Sequence, residues 1–283
     1  MKVLVLFIAM VCAIACTTTE TILDFNLVEG SINKLDSAYV IFQEQAYRFP
    51  LDAQGKGTLK MNIKEDGFAI LVYGKLSTNI YLKQGNTLKV IWDKEDWRGG
   101  KMQVVSDDGG INEYIRLNIE KSFKKATECS FTLEEDSFMD KVEQTIRELS
   151  AGIDSTNFAP EIKDILKASS KYEVLYWIYK YPRFHNFGKR MSQEEYLAFK
   201  RFNEYMFDKF EAHPEYLCLT AYREYAVNWF YELMQLRCFG EPYILKKEKA
   251  CQYILEHVKN AELREYALAE TITPYIKSYG IEG

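Results

Sequence analysis

The stretch NIYLKQGNTLKVIW, residues 79–92, decides how the first part of this 283-residue chain folds. Two short β-rich runs flank Gly85-Asn86, a pair able to take the positive φ of a tight hairpin turn. The same rhythm continues outward through SAYVIF (37–42), GTLKMNI (57–63), GFAILVYG (67–74) and KMQVVS (101–106). Asp66-Gly67 is a second turn signal of the same kind. Runs of this length and spacing predict an antiparallel sheet or sandwich over residues 22–107.

After SDDGG (106–110) the period becomes helical. Ile111, Ile115, Leu117 and Ile119 begin it. LEEDSFMDKVEQTIRELSAG (133–152) follows, with Phe138, Val142, Ile146 and Leu149 at steps of three and four and Gly152 as a stop. Pro160 opens a further helix as a first-turn residue. Ser192 and Glu195 form a capping box before EEYLAFKRFNEYMFDKF (194–210). The expected fold class is α+β: an antiparallel β-sandwich-like domain over 22–107, then an all-helical domain over 108–283.

The first residues address the chain. Met1-Lys2 is a short positive head, Val3 to Ala15 carries no charge, and Ala13 and Ala15 close the run. That is the layout of a secretory signal over 1–15, shorter than the roughly 20 apolar residues of a bilayer span. Ala13-Ile14-Ala15 before Cys16 resembles a bacterial lipoprotein box. The resemblance implies that Cys16 becomes the mature N-terminus and carries a lipid, with 16–21 as a tether. Ordinary cleavage near Ala15 would instead leave Cys16 unmodified. Thr17 is not Asp, so the familiar inner-membrane retention signal is missing and the outer membrane is the expected address. The body would then sit in the periplasm or at the surface.

Net charge is −5, without the clustered basic surface of a nucleic-acid binder. Cys129, Cys218, Cys238 and Cys251 form no C-x-x-C pair, so redox catalysis by them is not expected. They read as buried small apolar residues, or as a disulfide between Cys218 and Cys238 or between Cys238 and Cys251. His185, His213 and His257 show no zinc-binding spacing, and neither a P-loop nor a dinucleotide fingerprint appears. No cofactor or metal is implied. Glu134-Glu135-Asp136 and Glu194-Glu195 fall at helix starts, where negative charge suits the macrodipole. Lys246-Lys247-Glu248-Lys249 reads as a solvated helix face.

Aromatic residues are abundant, with 20 Tyr, 17 Phe and 4 Trp. YEVLYWIYKYPRFHNFGKR (172–190) and YREYAVNWFYELM (222–234) concentrate them. Such clusters build a core or a contact surface for sugar, peptide or protein. Tyr181, Arg183 and Phe184 are the expected exposed ligand contacts, because Pro182 ends their helix.

LVEGSI (27–32) and IYLKQGNTLKVIWD (80–93) resemble the N-terminal β domain of envelope TlpA-type thiol–disulfide oxidoreductases. GGINEYIRL (109–117) and HPEYLCLTAYREYAVNWF (213–230) are similar to helical stretches that follow that domain in the family. The family's activity resides in a thioredoxin domain with a W-C-x-x-C motif, which would begin where this sequence stops, so no catalytic residue carries over. The resemblance implies a non-catalytic, lipid-anchored binding or scaffolding module. A redox role with a thioredoxin-like domain supplied in trans or missing from this chain, and a glycan- or peptide-binding role, are the alternatives. The expected contacts are the membrane through Cys16, a thioredoxin-like protein or a glycan.

Overall fold

The computed structural model describes residues 20–28, 35–93, 102–185, 192–207 and 211–279. Cys16 and the signal-like residues before it lie outside the described residues. The chain is α+β, with strands in the first part and helices after them.

The strands are β1 (Thr21–Val28), β2 (Ser37–Phe42), β3 (Gln45–Pro50), β4 (Lys56–Met61), β5 (Gly67–Tyr73), β6 (Leu76–Leu82), β7 (Thr87–Asp93) and β8 (Gln103–Val105). They form two four-stranded sheets, ordered β4-β1-β7-β8 and β3-β2-β5-β6. Alternation decides which side chains face inward. In β1, Leu23, Phe25 and Leu27 are buried, and they lie in register with buried Leu88, Val90 and Trp92 of β7. These join Val40, Phe42, Leu71 and Ile80 of the second sheet in one core, as expected where two inner faces interdigitate.

Two expectations about connections fail. Gly85 does take a positive φ of 75°, and Asn86 N–H donates to the Lys83 carbonyl at 3.1 Å, so the turn exists. It does not make a hairpin, because β6 pairs with β5 in one sheet while β7 pairs with β1 in the other. The β1–β7 pairing is parallel, unlike the other strand pairs. Asp66-Gly67 also links the two sheets, with Gly67 already extended in β5. Among the described residues, two-residue hairpin turns lie at Gln43-Glu44 and Gly74-Lys75.

Nine helices follow among the described residues. They are α1 (Ile111–Thr127), α2 (Glu135–Asp154), α3 (Pro160–Ile178), α4 (Tyr181–His185), α5 (Gln193–Leu197), α6 (Lys200–Phe207), α7 (Thr220–Arg237), α8 (Tyr243–His257) and α9 (Ala261–Tyr279). A 3-10 turn at Pro214–Tyr216 follows His213. Pro160 sits in the first turn of α3, as its spacing predicts. Gly152 does not stop α2, which runs two residues further and ends at Ser155. The helix expected over 194–210 breaks between α5 and α6, around Ala198 and Phe199, and 208–210 lie outside the described residues. Leu117 is exposed rather than part of the buried stripe, which instead takes in Asn112, Asn118 and Ser122.

The chain divides into a first unit ending at Arg116 and a second beginning at Leu117. The second has its own core. In it, α7 buries Tyr222, Ala226, Trp229, Phe230 and Leu233 at helical spacing and packs against α3 and α8.

Candidate functional site

Pro182 shapes the region that the aromatic-rich sequence singles out. Its ring would crowd the Ile178 carbonyl, so α3 stops at that residue. The chain then re-enters a single helical turn, with Arg183 N–H and Phe184 N–H both donating to the Lys180 carbonyl at 3.1 Å. That turn drives Tyr181 inward, contrary to the expectation that it is exposed. Tyr181 has no exposed surface. Its ring stacks on Phe138 at 3.8 Å, and its hydroxyl donates to the Leu133 carbonyl at 2.8 Å. Burial pushes its phenol well above the ordinary tyrosine range. Tyr181 is a core residue whose polar end is satisfied inside.

Arg183 and Phe184 do face outward. Phe184 is 42% exposed. It stacks on half-buried Phe131, whose ring in turn stacks on Trp177, with centroids 5.6 and 5.7 Å apart. The Lys180 ammonium lies 5.0 Å from the Trp177 ring centroid. His185 Nδ1 lies 3.0 Å from the Phe131 carbonyl, which ties the row to the loop before α2.

The Arg183 guanidinium is half exposed, and one of its nitrogens reaches the buried Glu232 carboxylate of α7 at 3.0 Å. Tyr196 of α5 brings its hydroxyl within 3.5 Å of the same carboxylate. The capping box expected at Ser192 and Glu195 forms and holds α5 in place. Burial holds Glu232 above the usual carboxylate range, with Arg183 and the Tyr196 hydrogen bond pulling the other way. The result is a cation fixed from behind by a buried anion and flanked by an exposed ring. Such a group can grip a carboxylate or a backbone carbonyl on a partner without first paying to order its own side chain.

Glu232 and Tyr196 did not stand out in the sequence. The available signal for Glu232 was a carboxylate enclosed by Phe230-Tyr231 and Leu233-Met234 within one helix.

The other candidates resolve into structural roles. Glu135 caps α6 by accepting from Phe202 N–H at 2.8 Å, and Arg201 pairs with Asp140 and Glu143 at 2.8 and 3.0 Å. His257 is exposed on α8, and His213 sits at the junction before the 3-10 turn. Cys129, Cys218, Cys238 and Cys251 are all free, so neither disulfide pairing considered above is formed. Burial pushes the Cys218 thiol up to about 11 and also raises those of Cys129 and Cys251. The basic run 246–249 is not wholly solvated: Lys246 donates to Gln235 at 2.9 Å, and Lys247 lies half-buried across tyrosine rings. Among the described residues no group of three or more His, Cys, Asp or Glu could hold a metal ion, and no helix is long and apolar enough to cross a membrane.

No family model, no curated protein and no solved structure matches the chain.

Proposed function

We propose that this chain is a non-catalytic, lipid-anchored envelope protein, a binding or scaffolding module akin to the N-terminal region of TlpA-type thiol–disulfide oxidoreductases. Its helical unit engages a protein partner through Arg183 and Phe184. The observation that carries this reading is the half-exposed Arg183 guanidinium held at 3.0 Å by buried Glu232 beside exposed Phe184. Arginine and aromatic side chains are the groups that dominate protein interfaces when they are preorganised. A protein partner is favoured over a glycan because the rings of Trp177 and Phe131 stack on each other, leaving less open ring face for a sugar. The raised thiols support a role outside disulfide exchange, which needs a thiolate. The lipid anchor rests on the sequence around Cys16.

A photo-crosslinking residue placed at Phe184 in cells tests this directly. The expected result is one discrete protein adduct that disappears when Arg183→Ala is added to the same chain. Turnover of an insulin disulfide by the purified chain alone, abolished by Cys→Ser changes, would overturn the non-catalytic reading. A thioredoxin-fold partner in the adduct would convert it to the redox alternative.

A further inference from the structure

We propose that the groove between α8 and α9 binds a single-chain amphiphile, its anionic head at Lys247 and its apolar chain along Ile244, Cys251 and Ile272. The lining of this groove includes neither Arg183 nor Glu232, although Tyr231, whose ring lies beneath the Lys247 ammonium, also interacts with Arg183.

Geometry supplies the first argument. Ile244, Lys247, Glu248 and Cys251 occupy positions i, i+3, i+4 and i+7 along α8, so they share one face. Thr271 and Ile272 of α9 close the other side, and together they line a groove of about 360 Å³. That volume lies at the lower end of the range for ligand pockets. The space suits one unbranched chain and is too small for a docked helix. Leu255 and Ile276 are 58% and 39% exposed and lie one turn further along their helices, where they prolong the apolar surface. Solvent-facing aliphatic residues at both ends of an apolar slot are what a chain lying along it would cover.

Charge identifies the head. Lys247 is half-buried, with its ammonium 4.7 Å from the Tyr231 ring centroid and 5.7 Å from that of Tyr243. Among the described residues no carboxylate lies within ion-pair distance of it. Burial pulls its pKa below the ordinary lysine value, so the ammonium is held there at a cost that the rings only partly offset. An incoming carboxylate or phosphate would offset the rest through charge-assisted hydrogen bonds. Glu248 also borders the groove but is exposed, where solvent and salt screen it. The apolar lining disfavours a sugar.

Titration calorimetry on the purified full chain in detergent-free buffer tests the site, using dodecanoate, dodecyl phosphate and dodecyltrimethylammonium below their micellar concentrations. Saturable one-to-one binding of dodecanoate is expected, with the trimethylammonium compound at least about tenfold weaker, the scale of one lost charge-assisted contact. Lys247→Met, which keeps the volume, should weaken dodecanoate by a similar factor. Ile272→Trp should fill the slot and abolish binding of both anions; circular dichroism melting would confirm that each variant is folded. Equal binding of the phosphate and the carboxylate would support a site for any anionic head, and preference for dodecanoate would support a fatty-acid site. No saturable binding of either anion, equal affinity for the cationic compound, or binding untouched by Ile272→Trp would overturn the proposal.

Discussion

Arg183 and Glu232 stand 49 residues apart in sequence and meet at 3.0 Å, the cation half in solvent and the anion almost wholly out of it. The asymmetry determines what each substitution does. Removing the arginine strands a buried carboxylate, whereas removing the charge on Glu232 releases an arginine that can reach water.

Arg183→Met is therefore expected to destabilise the folded chain at pH 7 by about 3 kcal/mol, the low end for a broken buried pair. The effect should depend on pH. Glu232 has a folded value above its ordinary 4.5, so the folded state holds a proton there that the unfolded state has released. That stabilising uptake is complete at low pH and is lost as pH rises from the ordinary value through the folded one. Without Arg183 the folded value climbs further, so the penalty should grow between pH 4 and pH 7. Urea midpoints at the two pH values measure it, and adding Glu232→Gln should remove most of the pH dependence. A penalty equal at both would show that the lost interaction is packing rather than charge.

Asn112 is expected to matter as much to the β unit. Its carboxamide accepts from Tyr81 N–H at 2.8 Å and donates to the Tyr81 carbonyl at 2.7 Å, supplying both bonds that a further strand would give to β6. Asp108 bonds the same carboxamide and the first backbone amides of α1. Asn112→Ala leaves a buried donor and acceptor unpaired, which costs about 2–4 kcal/mol. Hydrogen exchange at the Tyr81 amide should accelerate in the variant more than at amides in the middle of β1. Unchanged protection at Tyr81 would mean that water or a shifted side chain replaces the carboxamide.

The α+β class was legible because both periods are strong: Leu88, Val90 and Trp92 alternate, while Phe138, Val142 and Leu149 recur on a helical face. The parallel β1–β7 pairing was not legible. A glycine at positive φ reads the same whether the turn returns the strand to its neighbour or passes it to the other sheet. Tyr181 was misplaced for a related reason. Pro182 announces the end of α3, but only the stacking on Phe138 determines that the next turn points inward. Of the candidate site, Arg183 and Phe184 could be found from sequence. Glu232 left only a local trace, an acidic residue between Phe230-Tyr231 and Leu233-Met234, because burial of a single acidic residue has no periodicity.

Two backbone positions in the sandwich should respond in opposite directions. Gly57 faces Phe25 across β1 and β4. A Cβ there would meet the Pro50 carbonyl, with the Leu51 and Phe49 side chains at 2.8 and 3.0 Å. Gly57→Ala is expected to cost about 1–3 kcal/mol through this overpacking. Glu44, in the β2–β3 turn, has a φ of 63° without being glycine. Glu44→Gly relieves left-handed strain of about 1 kcal/mol and should raise the melting temperature by a few degrees. Thermal melts of both variants check the pair. A stabilised Gly57→Ala would show that the strand can shift to admit a methyl group.

Thiol titration reads the cysteines and the anchor together. Burial raises the thiols of Cys129, Cys218 and Cys251, so at pH 8 they are protonated and should react slowly with a disulfide reagent in the native state. In denaturant all four internal cysteines should react, because the structure leaves each of them free. Protein isolated from membranes should then show four titratable thiols if Cys16 is blocked by lipid, and five if it is an unmodified mature N-terminus. Two fewer in either case would reveal a disulfide among the internal cysteines. Rapid reaction of one thiol in the native protein would point to an activated thiolate and favour the redox alternative over a binding module.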